Sequence, residues 1–201
     1  MFEFLSKGGV LVVPILLCSV FALAIFVERL IRFAKMRSRG AGLARKTIEL
    51  IHQGKSDDVE PMLAESNSPM GRVLAKAMQV RNQDRETVET VITHSTEEEV
   101  RNLSSYLQGL ATIGNIAPIL GLLGTVMGMI KAFMVIQQMG GKVNAAVLAG
   151  GIWEAMLTTA LGLSVALPTM VAHSYLLARV DKYEARLQEG AVAFMTDIFR
   201  K

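Results

Sequence analysis

One acidic residue, Glu154, lies inside the third long apolar run of the sequence, eleven residues after that run begins at Val143. A carboxylate at this depth in a bilayer costs about 3 kcal/mol on insertion scales and normally faces protein or a water-filled path. Thr158 follows four residues later on roughly the same helical face, and Thr159 is its neighbour. Glu154 therefore has two interpretations: a group on an ion path, or an acid near the headgroups that hydrogen-bonds a neighbouring helix.

The chemistry that these residues suit is the movement of an ion. Hydroxyls can relay a proton, or partly replace the water shell of a sodium ion, without adding a fixed charge. A further hydroxyl, that of Thr125, lies in the second apolar run. We therefore predict that Thr125, Glu154, Thr158 and Thr159 line an ion pathway. Both H⁺ and Na⁺ fit this set.

No other grouping in the sequence indicates catalysis, a metal or a cofactor. Cys18 is the only cysteine, which excludes an internal disulfide and a CxxC site. His52 and His94 have no His or Cys partner at ligand spacing, and His173 fits a hydrogen-bonded or interfacial histidine. Gly141-Lys142 is not preceded or followed by P-loop residues. We predict that the protein is not an enzyme.

Small residues recur along the second and third runs at spacings of three or four. In lipid such residues let helix backbones approach closely, because packing rather than the hydrophobic effect holds the helices together. The stripes predict a tight helix contact, either within one subunit or between copies in a ring. They comprise Gly114, Ala117, Gly121, Gly124 and Gly128 in the second run, and Gly151, Ala155, Thr159, Gly162 and Ala166 in the third.

Proline interrupts both of these runs. Pro118 lies in the second run and Pro168 in the third. A proline in the middle of a span removes one backbone hydrogen bond and leaves a carbonyl free. Each proline therefore predicts either a static kink or a hinge.

The runs that position these residues are long enough to cross a bilayer. They cover residues 10–27, 107–136 and 143–178, and they predict an all-α integral membrane protein with three transmembrane helices. A cleaved signal peptide is the competing interpretation of the first run. Glu3 and Lys7 cancel before it, whereas a signal peptide begins with net positive charge.

Basic residues follow the first and third runs. Between residues 28 and 46 there are seven basic residues and one acid, and Arg179, Lys182 and Arg186 follow the third run. Positive charge marks the cytoplasmic side. We therefore expect residues 28–106 and 179–201 in the cytoplasm, the latter as a C-terminal helix. Residues 1–9 and the Gly-Gly hairpin at 137–142 are expected on the other side.

The sequence pattern of the cytoplasmic segment predicts helices. Ser68 is a helix N-cap residue that precedes a proline at the first helical position, Pro69. From Asp84 to Gln108 there is neither glycine nor proline. We predict that one continuous helix enters the second span from the cytoplasm.

Two stretches of the apolar runs resemble a known family. Residues 117–130 read APILGLLGTVMGMI, and residues 150–168 read GGIWEAMLTTALGLSVALP. These resemble the second- and third-span signatures of the MotA/TolQ/ExbB family, in its ExbB and TolQ branch. Three spans favour this branch, because the MotA branch has four.

The resemblance implies an assembly and a set of site residues. Members form a homopentamer around a pore lined by the second and third spans. Two single-span ExbD- or TolR-like helices occupy the pore, each with an intramembrane aspartate. Thr125 and Thr159 match the family's pore-facing threonines, and Glu154 matches its third-span glutamate. Lys131 departs from the pattern, since relatives carry a neutral residue there, at the outer mouth of the pathway.

The implied function is that of a motor subunit in the bacterial inner membrane, with a periplasmic amino terminus and a cytoplasmic carboxyl terminus. It would convert a proton- or sodium-motive force into mechanical work and energise a TonB- or TolA-like protein for outer-membrane transport or envelope integrity. A non-conducting membrane scaffold is the alternative. A small-molecule transporter would need more spans or inverted repeats. The net charge of +3 is too small and scattered for nucleic acid.

Overall fold

The computed structural model describes residues 9–37, 42–139 and 145–199, which are almost entirely helical. Across these ranges there is no strand. The extracytoplasmic segment predicted at 1–9 and the hairpin predicted at 137–142 lie largely outside the described residues. The helices are α1 (Val12–Arg37), α2 (Leu43–His52), α3 (Val59–Ser66, after a 3-10 turn at Ser56–Asp58), α4 (Pro69–Gln79), α5 (Arg85–Ser104), α6 (Leu107–Gln138) and α7 (Ala145–Ile198).

Among the described residues, three helical stretches are long and apolar enough to cross a membrane. They lie at Val12–Met36, within Arg85–Gln138, and within Leu148–Ile198. The prediction of an all-α integral membrane protein with three spans is confirmed. Both prolines lie inside helices that continue through them, Pro118 in α6 and Pro168 in α7.

The chain divides into two compact units. One comprises residues 1–27 and 106–175, and the other comprises residues 28–105 and 176–201. We call them the apolar unit and the polar unit.

The three helices of the apolar unit alternate in direction. A methyl group placed on Gly9, just before α1, would overlap the Glu154 carboxylate and lie 3.7 Å from Lys131 Nζ. Further along α1, Ile25 lies beside Gly109 at the start of α6. The beginning of α1 therefore lies at the end of the unit where α6 finishes and α7 starts.

Most large apolar side chains of this unit point outward. Leu17 and Phe21 on α1, Leu122 and Phe133 on α6, and Val171 on α7 are all exposed. Such exposure is unfavourable in water but suits lipid, which is as apolar as these side chains. These outward apolar side chains therefore stabilise the unit only in an apolar environment such as lipid.

The polar unit has a conventional hydrophobic core. Apolar side chains of α2, α3, α4 and α5 pack with the last part of α7, including Leu74, Val88 and Phe194. As predicted, Ser68 caps α4: its hydroxyl accepts from Gly71 N at 3.1 Å, with Pro69 at the first helical position. Asp84 caps α5 by accepting from Thr87 N.

An ion pair fixes α4 against α5 in the same unit. Arg72 Nε donates to Glu99 Oε1 at 2.7 Å, and Glu99 is almost completely buried. The hydrogen bond to Glu99 raises the pKa of Arg72, and the burial of Arg72 partly opposes this. Because a buried carboxylate left alone is costly, the pair holds the two helices in one register.

The predicted continuous helix from Asp84 into the second span is wrong at one point. Helix α5 ends at Ser104, and α6 begins only at Leu107. Between them Tyr106 has φ 66° and ψ −11°, the left-handed conformation. A tyrosine in this region costs about 1–2 kcal/mol relative to a helical one. Something must therefore stabilise the break.

Arg29 supplies that stabilisation. Its side chain is completely buried, and its guanidinium donates to the carbonyls of Asn102 and Leu103 at 3.3 and 3.4 Å and to Ser105 Oγ at 2.8 Å. The last carbonyls of a helix have no donor within that helix. A guanidinium carries five donors in a fixed fork, so it can satisfy several of them at once. Glu28 balances the charge, with Oε2 at 2.8 Å from Arg29 Nε.

Candidate functional site

The two small-residue stripes face each other within the chain. All five stripe residues of α6 are buried. On α7, Ala155, Gly162 and Ala166 are buried and Gly151 is partly buried. Gly114 meets Met170, and Gly128 meets Gly151 and Ala155, so the helices run antiparallel along the whole stripe. We call this contact the α6–α7 seam.

Backbone lies against backbone in the seam. A Cβ atom added to Gly162 would lie 2.6 Å from the carbonyl oxygen of Ala117 and 3.0 Å from Gly121 Cα. A Cβ atom on Gly128 would lie 2.9 Å from Ala155 Cβ. Of the two partners that the sequence left open, the seam is formed within one subunit. The stripes consequently provide no support for a ring of copies.

Two neighbouring threonines of α7 differ in their hydrogen bonds and in their exposure at the seam. Thr159 Oγ1 donates across the helices to the carbonyl oxygen of Gly121 at 2.8 Å. Thr158 is 2% exposed and packs against Gly124, and its hydroxyl donates to Ala155 O of its own helix at 2.7 Å. Thr158 is therefore enclosed by the seam, whereas Thr159 is partly exposed beside it.

The hydroxyl of Thr125 also donates to backbone. It lies 2.6 Å from Leu122 O on α6, and the residue is partly exposed. A hydroxyl that donates its hydrogen to a carbonyl still has oxygen lone pairs that can accept a hydrogen bond or contact a cation. Thr125 and Thr159 can thus act as acceptors toward a species outside the helix pair.

Glu154 is held in an ion pair. Its Oε1 lies 2.8 Å from Lys131 Nζ of α6, and the two side chains are 27% and 52% exposed. The carboxylate lies beside Gly9, at the end of the apolar unit where α1 begins. Sequence reasoning identified both residues but did not pair them. The sequence does contain a signal for this pair, since each of the two residues carries the only formal charge of its own apolar run.

The remaining candidates, Cys18 and His52, belong to other helices. Cys18 is partly buried in α1. His52 belongs to the polar unit, where its Nε2 lies 2.9 Å from Asp197 Oδ1. Over the three described ranges, no cluster of three or more His, Cys, Asp or Glu side chains could hold a metal ion.

Comparison with known proteins decides the family. The sequence profile of the MotA/TolQ/ExbB proton channel family matches residues 65–189, which include all of α6 and the seam part of α7. The chain belongs to this family, and within it to the ExbB branch. Both stripes, Thr125, Glu154 and Thr159 thus lie in the part of the chain that defines family membership.

Individual relatives agree with this assignment. The biopolymer transport protein ExbB of Salmonella typhimurium is 30% identical over 89% of the chain and 76% of its own length. ExbB of Neisseria meningitidis is 31% identical, over 82% of the chain and 79% of its own length. An ExbB homologue of Methanothermobacter thermautotrophicus is 27% identical over 89% of the chain, which spans 63% of that relative.

Proposed function

We propose that this family member is an ion-conducting motor subunit. It converts a proton- or sodium-motive force across the bacterial inner membrane into mechanical work that energises a TonB- or TolA-like protein. An ExbD- or TolR-like single-span partner brings the intramembrane aspartate that takes and releases the ion. The observation that carries the proposal is the arrangement of Thr125, Thr159 and Glu154 on one helix pair, each only partly buried and each with an acceptor oxygen.

We further propose that several copies, five by family resemblance, surround the partner helices. Because the seam uses the small stripes within one chain, other surfaces must make the contacts between copies. The outward apolar faces of α6 and α7 are the surfaces available for this, for example at Val126 and Met156. We assign Thr158 to helix packing, since the seam encloses it.

The proposed orientation places the start of α1 and residues 137–142 in the periplasm. Supporting it, basic residues follow the first and third spans: seven lie between residues 28 and 46, and Arg179, Lys182 and Arg186 follow the third. In a Cys18→Ala background, a cysteine at Gly140 should react with an impermeant maleimide added outside intact cells. A cysteine at Asp84 should react only after lysis, because positive charge holds that side in the cytoplasm. Labelling of both from the same side would contradict the topology.

The function is tested by removing the two hydroxyls. Thr125→Val and Thr159→Val preserve side-chain shape, so the complex should still assemble. Its gradient-driven activity should fall at least about tenfold, because valine has no oxygen that can accept a proton or coordinate a cation. Activity is measured in cells as uptake or envelope integrity that collapses with the ion gradient. Thr158→Val is the matched control, because its hydroxyl is enclosed. Full activity in both test variants would place the pathway elsewhere.

A non-conducting scaffold is the second candidate function. The Lys131–Glu154 ion pair favours it, because the pair gives Glu154 a structural role without any ion. Glu154→Gln separates the two functions: a glutamine can still accept from Lys131 but cannot take up a proton. A scaffold should retain its activity with this change, and a conductor should lose it.

A further inference from the structure

The side chain of Lys131 has no role in the pathway proposed above. Its ammonium nevertheless lies 2.8 Å from Glu154 Oε1, at hydrogen-bonding distance on a different helix. The carboxylate is approached from three elements: Lys131 on α6, its own helix α7, and the segment before α1 at Gly9. A side chain at Gly9 would displace the carboxylate, so this glycine lets the three elements meet.

The surroundings of Glu154 provide few oxygen ligands for a metal cation. A sodium ion leaves water only where oxygen atoms replace its hydration shell. At Glu154 the position of such an ion is taken by an ammonium, which carries the same charge and donates hydrogen bonds rather than accepting them. The hydroxyl nearest along α7, that of Thr158, is turned to Ala155 O and Glu154 O of its own backbone.

A proton differs from a metal cation in what it needs. It binds covalently to one carboxylate oxygen and requires no shell of ligands. The ammonium of Lys131, 2.8 Å from Glu154 Oε1, occupies the space beside the carboxylate that a metal cation would need. A proton can reach the carboxylate along hydrogen bonds, so it needs no such space.

We infer that Lys131 is the specificity-determining residue of the pathway: it excludes sodium and other metal cations from Glu154 and leaves this carboxylate to protons. The inference rests on the proposed function, in which Glu154 lies on the route of the ion. It assigns Lys131 to selectivity, and it accounts for a lysine near the end of an apolar span.

The experiment measures sodium binding to the purified full-length protein in lipid nanodiscs. A ligand that binds only the folded state raises the unfolding temperature by mass action. Unfolding is recorded in sodium chloride and in choline chloride at equal ionic strength. The wild-type temperature should be the same in both salts. Lys131→Gln should unfold about 5 °C higher in saturating sodium than in choline, because a neutral amide opens the site to the ion.

Three further variants complete the test. Lys131→Arg keeps the charge and should show no sodium effect, like the wild type. Lys131→Met removes the charge without adding an amide and serves if Lys131→Gln does not fold. The double variant with Lys131→Gln and Glu154→Gln should lose the sodium effect, which locates the bound ion at the carboxylate.

Either of two results overturns the inference. One is a wild type that is itself stabilised by sodium, and the other is a folded neutral variant at position 131 that does not respond to sodium. Neither result depends on gradient-driven work. If the threonine variants keep full activity while the sodium response appears as expected, the proposed function fails and the selectivity of the Glu154 site stands.

Discussion

Replacing Gly162 with leucine is expected to prevent α6 and α7 from packing and to leave little folded protein. Even the first added carbon would lie 2.6 Å from the carbonyl oxygen of Ala117 and 3.0 Å from Gly121 Cα. Both contacts are with backbone, which cannot turn aside as a side chain can. Overpacking of a core costs about 1–3 kcal/mol where side chains can adjust, and a backbone clash should exceed that range. The measurement is the yield and unfolding temperature of the protein in detergent.

Gly150 provides a matched control on the same helix. Apart from the adjoining backbone of α7 itself, no atom lies within 4 Å of a Cβ added there, and the residue is exposed. Gly150→Leu should therefore fold with an unfolding temperature close to that of the wild type. If Gly162→Leu were as stable as this control, α6 and α7 would not be in tight contact at Gly162.

Arg29→Leu is expected to lower the stability of the polar unit by about 3 kcal/mol, since each hydrogen bond from a charged donor contributes about 1.5–3 kcal/mol and leucine restores part of the packing. The carbonyls of Asn102 and Leu103 would lose their donor at the end of α5. Unfolding temperature and amide hydrogen exchange report the effect, and the amides after the break should exchange faster.

Two substitutions show whether the loss belongs to the guanidinium. Arg29→Lys keeps the charge, but an ammonium cannot donate in a fork to carbonyls and Ser105 together, so most of the loss should remain. Arg32→Leu removes a partly exposed arginine from the next turn of α1 and should change stability little. An Arg29→Leu protein with wild-type exchange across residues 104–110 would show that the break needs no support.

The sequence was informative wherever the signal is local. Apolar runs of bilayer length predicted three spans, and the cap at Ser68 predicted the start of α4. The spacing of Gly121, Gly124 and Gly128 showed which face of α6 makes a close contact. Each of these depends on residues within a few turns of one another, so a single sequence contains them.

What the sequence left open depends on partners far along the chain. Arg29 and Asn102 are 73 positions apart, and in the sequence alone Arg29 is one of the seven basic residues that orient the first span. No glycine or proline between Asp84 and Gln108 indicates the break at Tyr106. The break is stabilised instead by the guanidinium of Arg29, which is far away in the sequence. Likewise, the register between α6 and α7, which brings Lys131 to Glu154, follows from the seam and not from either helix alone.

The α6–α7 seam also limits how this protein can move. Sliding one helix along the other by a single residue is a shift of about 1.5 Å, and it would move the closely packed backbones of Gly162 and Ala117 out of register. It would also break the bond from Thr159 to Gly121, whose donor and acceptor lie on opposite helices. Within the apolar unit, the seam therefore opposes sliding of α6 along α7. In the proposed function, the stroke driven by the ion tilts or turns this part of the helix pair as one element, and its displacement is passed to whatever lies against the outer faces.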